Sequence, residues 1–212
     1  TLLARLPDVL SDGGTAVIEG SKPQQKDSYT VALNNQPEAG EEVRVTLDVA
    51  TTELAFADAS GVALPKDAQG RAYLTFTAAN WNQPQTVLVS SPADTKPENR
   101  FVADITHVVT SHVGGANGPE GFFKAALVGT PIVRVQVTDG NTAGVVVTPA
   151  PGGVAVTASQ DSYYDLVLTT APTAPVTITL AGDGQTLTSS ADPRFRAASG
   201  TTPATVTFDA TN

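Results

Sequence analysis

The chain has 212 residues and a formal net charge of −9, from 12 basic and 21 acidic residues. That balance leaves no basic face for nucleic acid and would be repelled by an anionic membrane surface. Apolar residues at 41% against 16% charged predict a packed core rather than disorder. The absence of cysteine excludes disulfides, thiolate metal sites and cysteine nucleophiles. No apolar run is long enough for a transmembrane helix, and no secretory signal with a basic start and apolar middle is present. The N-terminus begins in mid-pattern, as expected of a processed chain or an excised fragment.

In chain order, period-two alternation predicts strands. Tyr29, Val31 and Leu33 alternate with Thr30 and Ala32; Val43, Val45, Leu47 and Val49 alternate with Arg44, Thr46 and Asp48. Val87 and Val89 follow, then Phe101, Ala103 and Ile105, then Val133, Val135 and Val137. Farther on, Val154 and Val156, then Val176, Ile178 and Leu180, repeat the pattern. The breaks carry turn chemistry: Asp12-Gly13-Gly14, Asn34-Asn35-Gln36-Pro37, Asp139-Gly140-Asn141 and the run 149–153. Only Pro119–Val128 reads as helical, for one or two turns, inside a long excursion spanning Ser111–Pro131. Gly114-Gly115 and Gly152-Gly153 are turns, since no parallel strand and helix flank them as a phosphate loop requires.

The chain says the same thing twice. Lys26–Leu47 (KDSYTVALNNQPEAGEEVRVTL) matches Gln160–Leu180 (QDSYYDLVLTTAPTAPVTITL), and Leu74–Trp81 (LTFTAANW) is echoed by Val206–Asn212 (VTFDATN). Such spacing indicates tandem modules rather than a short solenoid. The predicted fold is all-β: tandem antiparallel immunoglobulin-like sandwiches, the first over residues 1–143 and the second, incomplete, over 144–212. Nothing in the second unit matches the stretch from Trp81 to Val137. Truncation is the expected reason; donation of the missing strands by another chain is the sharper alternative.

Val17-Ile18-Glu19-Gly20, Thr75–Val89 (TFTAANWNQPQTVLV), Ile105-Thr106-His107 and Val135–Asp139 (VQVTD) together resemble the Calx-beta-like repeats of large bacterial surface proteins. The resemblance implies a seven-stranded immunoglobulin-like sandwich, tandem arrays on the outer bacterial surface in adhesins and surface layers, and an acidic calcium site at one end. The positions matching that site are Glu19, Asp94, Glu98 and Asp139. Two departures reduce the set: the acidic doublet has become Ala93-Asp94, and the exit D-N-D has become Asp139-Gly140-Asn141. Calcium takes six to eight oxygens, so one ion rather than a cluster is expected, with Asn141 or backbone carbonyls completing its shell. The alternative is a set of solvated turn acids. No matching site is expected in the second unit, where Val156-Thr157-Ala158-Ser159 carries no carboxylate.

Trp81, the sole tryptophan, is either a plug between the sheets or a sugar-stacking platform; the lack of neighbouring aromatics favours the plug. His107 and His112 are the only histidines, too few for a zinc site, and no nucleophile-elbow pattern accompanies them. Phe122 and Phe123, paired in the excursion, are candidate interface anchors; the alternative is that they fold back onto the sandwich. The expected function is therefore a non-enzymatic extracellular module of an array, fibre or surface layer. Its partners would be neighbouring modules or copies of itself, with calcium as a possible stiffener. The runner-up is a ligand-binding adhesin module or an accessory domain of a secreted enzyme, which would need a concave site with two or more aromatics.

Overall fold

The computed structural model describes residues 14–20, 26–115, 118–121, 123, 132–150 and 152–210. Thirteen strands and no helix are found among them. In chain order they are β1 Thr15–Ile18, β2 Asp27–Val31, β3 Glu41–Val49, β4 Ala55–Ala57, β5 Tyr73–Phe76, β6 Gln85–Ser90, β7 Phe101–Val113 and β8 Ile132–Thr138. There follow β9 Val145–Pro149, β10 Tyr164–Leu168, β11 Val176–Leu180, β12 Phe195–Arg196 and β13 Ala204–Phe208. The all-β expectation holds.

The first eight strands form two sheets, one ordered β1-β8-β7-β3-β5 and the other β2-β6-β4. Every pair is antiparallel except β1 with β8. Alternation makes each strand two-faced, and the apolar faces meet in one core. Tyr29, Val31, Val87 and Val89 of the smaller sheet pack into the same cluster as Val43, Val45, Leu74, Phe76, Ile105 and Val135 of the larger. Trp81 lies partly buried against this cluster and its carbonyl accepts the Leu33 N–H at 2.8 Å, a structural placement.

Polar residues also occupy the inward face, His107 and Glu41 the largest of them. His107 lies in mid-strand in β7, fully buried, with Nε2 3.0 Å from the Tyr29 hydroxyl and the two rings edge to face at 5.5 Å. Burial pushes the Tyr29 hydroxyl pKa well above its usual range, which keeps the hydroxyl protonated. Tyr29→Phe is therefore expected to cost about 1–3 kcal/mol, because it deletes a buried partner of His107. Urea denaturation would measure this, and a loss below about 0.5 kcal/mol would show that the pair contributes nothing.

The second such residue is Glu41, in register with Val43 and Val45 and 2% exposed. Its Oε2 accepts the Glu38 N–H at 2.9 Å and its Oε1 accepts the Phe123 N–H at 3.0 Å. Phe123 itself is 1% exposed and belongs to the core cluster. This corrects its reading as an interface anchor: it folds back, and the carboxylate of β3 pins its backbone. Phe122 lies outside the described residues. The excursion also begins later than Ser111, since β7 runs on to Val113. Most of the helix expected over Pro119–Val128 lies outside the described residues; at its start, the Pro119 carbonyl accepts the Val113 N–H and Glu120 bridges His112.

Strands β9 to β13 form two further sheets, β9-β10 and β11-β13-β12. One strand pair here has the register of a pair among the first eight strands. In the first unit β3 pairs β5 with Val43 opposite Phe76 and Val45 opposite Leu74. In the second, β11 pairs β13 with Val176 opposite Phe208 and Ile178 opposite Val206. The D-S-Y triplets are less equivalent. Asp27 is a buried member of β2 whose Oδ2 accepts the Ala16 N–H at 2.9 Å, whereas Asp161 is exposed and β10 begins only at Tyr164. Tyr164, Leu166 and Leu168 thus take the alternation of Tyr29, Val31 and Leu33, one residue later than the triplets align.

Burial separates the two units. Val43 is 0% exposed but its counterpart Val176 is 38% exposed. Val145 and Val147, opposite Leu168 and Leu166 on one face of the β9-β10 sheet, are 46% and 56% exposed. In the first unit β3 and β2 also carry β7 and β6; among the described residues β11 and β10 have no such neighbours.

Candidate functional site

The four acids picked out by sequence come from three separate segments, and the fold brings those segments to one end of the first unit. Glu19 follows β1, where its N–H donates to the Thr138 carbonyl at 2.9 Å and its backbone bridges Ser91. This seats Glu19, buried, between the ends of β6 and β8. Asp94 and Glu98 lie on the loop from β6 to β7, and Asp139 follows β8 directly.

Their side chains do different things. Glu19 Oε1 accepts the Asp94 N–H, and Oε2 accepts the Gly140 N–H at 3.3 Å. Asp94 Oδ1 accepts the Lys96 N–H at 2.6 Å. Glu98 pairs with the Lys96 ammonium, and that hydrogen bond, more than the charges of Glu98, Asp94 and Glu53, raises the Lys96 pKa. Asp139 accepts the Thr142 hydroxyl and the Asn141 N–H, each at 2.7 Å, and also bonds with the Glu98 backbone and the Glu19 side chain. These bonds, Thr142 first and Asn141 next, hold the Asp139 carboxyl down at about 2 against the opposing effect of burial.

Sequence reasoning treated Asn141 only as an auxiliary ligand; the structure puts it at the centre. Its Nδ2 lies 3.3 and 3.2 Å from the two Glu19 oxygens, 3.3 Å from Asp94 Oδ1 and 3.4 Å from the Lys96 carbonyl. Four acceptors thus share the two hydrogens of one amide. Its orientation follows from that surrounding, since Oδ1 in the same place would face four other oxygens. Gly140 makes the approach possible: a Cβ there would collide with the Glu19 carbonyl oxygen.

The same loop joins the second unit. Thr169, buried at the end of β10, donates its hydroxyl to the Thr142 carbonyl at 2.6 Å and its N–H to the Gly144 carbonyl at 3.0 Å. Residues 139–144 are therefore held from both sides.

A calcium ion would need more oxygens than converge on the Asn141 amide. The oxygens around the Asn141 amide come from two carboxylates and one carbonyl, whereas calcium takes six to eight oxygens. Beside this end, an open cleft of about 380 Å³ runs between β1, β8 and β9. Thr15, Val17, Arg134, Gln136, Val146 and Val167 line it, with no aromatic among the described residues.

No family model, curated protein or solved structure matches this chain.

The depressed Asp139 carboxyl carries a pH prediction. A carboxyl lowered in the folded state stabilises fully above its unfolded value of about 3.9, and the contribution is lost as pH falls toward about 2. Asp192, lowered to about 2 chiefly by its hydrogen bonds with Arg194, acts in the same window. Asp139→Asn is expected to flatten the loss of stability between about pH 4 and pH 2. An unchanged acid profile for the variant would remove Asp139 from this role.

Proposed function

We propose that this chain is a non-catalytic structural repeat module of Calx-beta-like kind. Two immunoglobulin-like sandwiches stand in tandem, the second open, within an extracellular array, fibre or surface layer of a bacterial surface protein. The observation that carries this reading is the duplicated strand register. The pairing of β3 with β5 recurs in β11 with β13, yet Val176 is 38% exposed where Val43 is buried, and Val145 and Val147 of β9 are 46% and 56% exposed. An apolar face with open strand edges is a docking surface for further strands. Its natural partner is a strand-forming segment of the same repeat class, from a neighbouring module or another copy.

Such a protein works by holding shape. The shared core makes the first unit rigid, and the hydrogen-bonded loop of residues 139–144 fixes how the chain leaves it. Analytical ultracentrifugation over a wide concentration range, with electron microscopy of the concentrated sample, tests the reading. Ordered oligomers, filaments or sheets are expected; a strict monomer at every concentration would overturn it.

A further inference from the structure

We infer that Asn141 is a built-in, uncharged substitute for a cation, closing the acidic end of the first unit and latching the junction without metal. The inference rests on the reading of the chain as a shape-holding tandem module.

Three strand ends that are far apart in sequence meet at one nitrogen. Glu19 follows β1, Asp94 and Lys96 belong to the loop after β6, and Asn141 follows β8. All four oxygens within 3.2–3.4 Å of Asn141 Nδ2 are acceptors, two from Glu19, one from Asp94 and one from the Lys96 backbone. Convergence of carboxylate and carbonyl oxygens on one point is what a hard cation demands. An amide NH2 satisfies part of that demand by donating two hydrogens, and it is tethered to the chain, so nothing has to be captured from solution.

The tether is short and directed. Gly140 donates its N–H to Glu19 and leaves no room for a side chain against the Glu19 carbonyl. The Asn141 N–H is held by Asp139, whose other oxygen takes the Thr142 hydroxyl, while the Thr142 carbonyl accepts from Thr169 of the second unit. Closing the amide onto Glu19 and Asp94 therefore fixes the start of the segment that the second unit grips.

The charge balance gives the test. Asn141→Asp removes both donors and sets a further carboxylate against Glu19 and Asp94, beside Asp139, which already bonds with Glu19, a repulsive arrangement that a cation relieves. The same change creates an all-oxygen cage of three carboxylates and a carbonyl. Calorimetry and thermal melting on the intact chain, in EDTA and in millimolar calcium, read both effects. The native chain is expected to melt alike in the two buffers and to show no calcium heat. Asn141→Asp should melt lower in EDTA, recover in calcium and bind it with a dissociation constant of about 10⁻⁴–10⁻³ M, the range of extracellular modules. Asn141→Ala should raise the unfolded fraction roughly tenfold and gain nothing from calcium.

Calcium binding by the native chain would overturn the inference. So would an Asn141→Ala chain as stable as the native one, or an Asn141→Asp chain that is equally stable or equally unfolded in both buffers. All of these are read on dilute monomer, so the result stands apart from whether the chain assembles.

Discussion

Replacing Phe123 with Ala is expected to lower the unfolding free energy by about 3–5 kcal/mol, the usual cost of removing a buried aromatic side chain. Phe123 is in contact with the main core and its backbone is held by Glu41. Around that contact the packing is tight: a Cβ on Gly121 would collide with the Glu41 carboxylate and crowd the Ser111 hydroxyl. Losing the ring would leave a cavity at the end of β3 and β7 and free the backbone that Glu41 anchors. A surface aromatic in a mobile loop would instead change stability by less than about 0.5 kcal/mol. Chemical denaturation distinguishes these outcomes. A drop below about 1 kcal/mol would mean that the segment is not a structural plug.

Replacing Val145 and Val147 together with Lys is expected to abolish association while leaving the melting of the first unit unchanged. The two valines lie on the exposed face of the β9-β10 sheet, opposite Leu168 and Leu166. Burying two such side chains in an interface is worth about 3–6 kcal/mol, or two to four decades in association constant. Two ammonium groups in the same place would forfeit that and add a desolvation cost. Sedimentation of the variant beside the native chain makes the comparison. Equal assembly of the two would exclude this face as the contact, whatever the native chain does.

How much of this was readable from residue order depends on how each signal arises. Strands β2, β3, β6 and β8 alternate apolar with polar residues because one face of each meets the core, and that signature is local. β7 was read too short because His107 and Ser111 occupy inward positions that a count of apolar residues skips. Parity alone would have included them, as it would have placed Glu41 inward beside Val43 and Val45. The short strands β4 and β12, three and two residues long, carry no periodic signal and exist because a neighbouring strand offers an edge. The convergence of Glu19, Asp94 and Asp139 was legible through motif order, but the central role of Asn141 was not. An amide carries no charge to suggest a site, and Glu19 lies 122 positions away from it.

By itself, residue order determined the all-β class and most strand faces, because alternation and turn chemistry act between near neighbours. Tertiary structure alone decided which acids face a common point, that Phe123 is core, and that Val176 is exposed where Val43 is buried. Those outcomes depend on segments distant in the chain meeting in space, where burial and donor geometry assign each side chain its role.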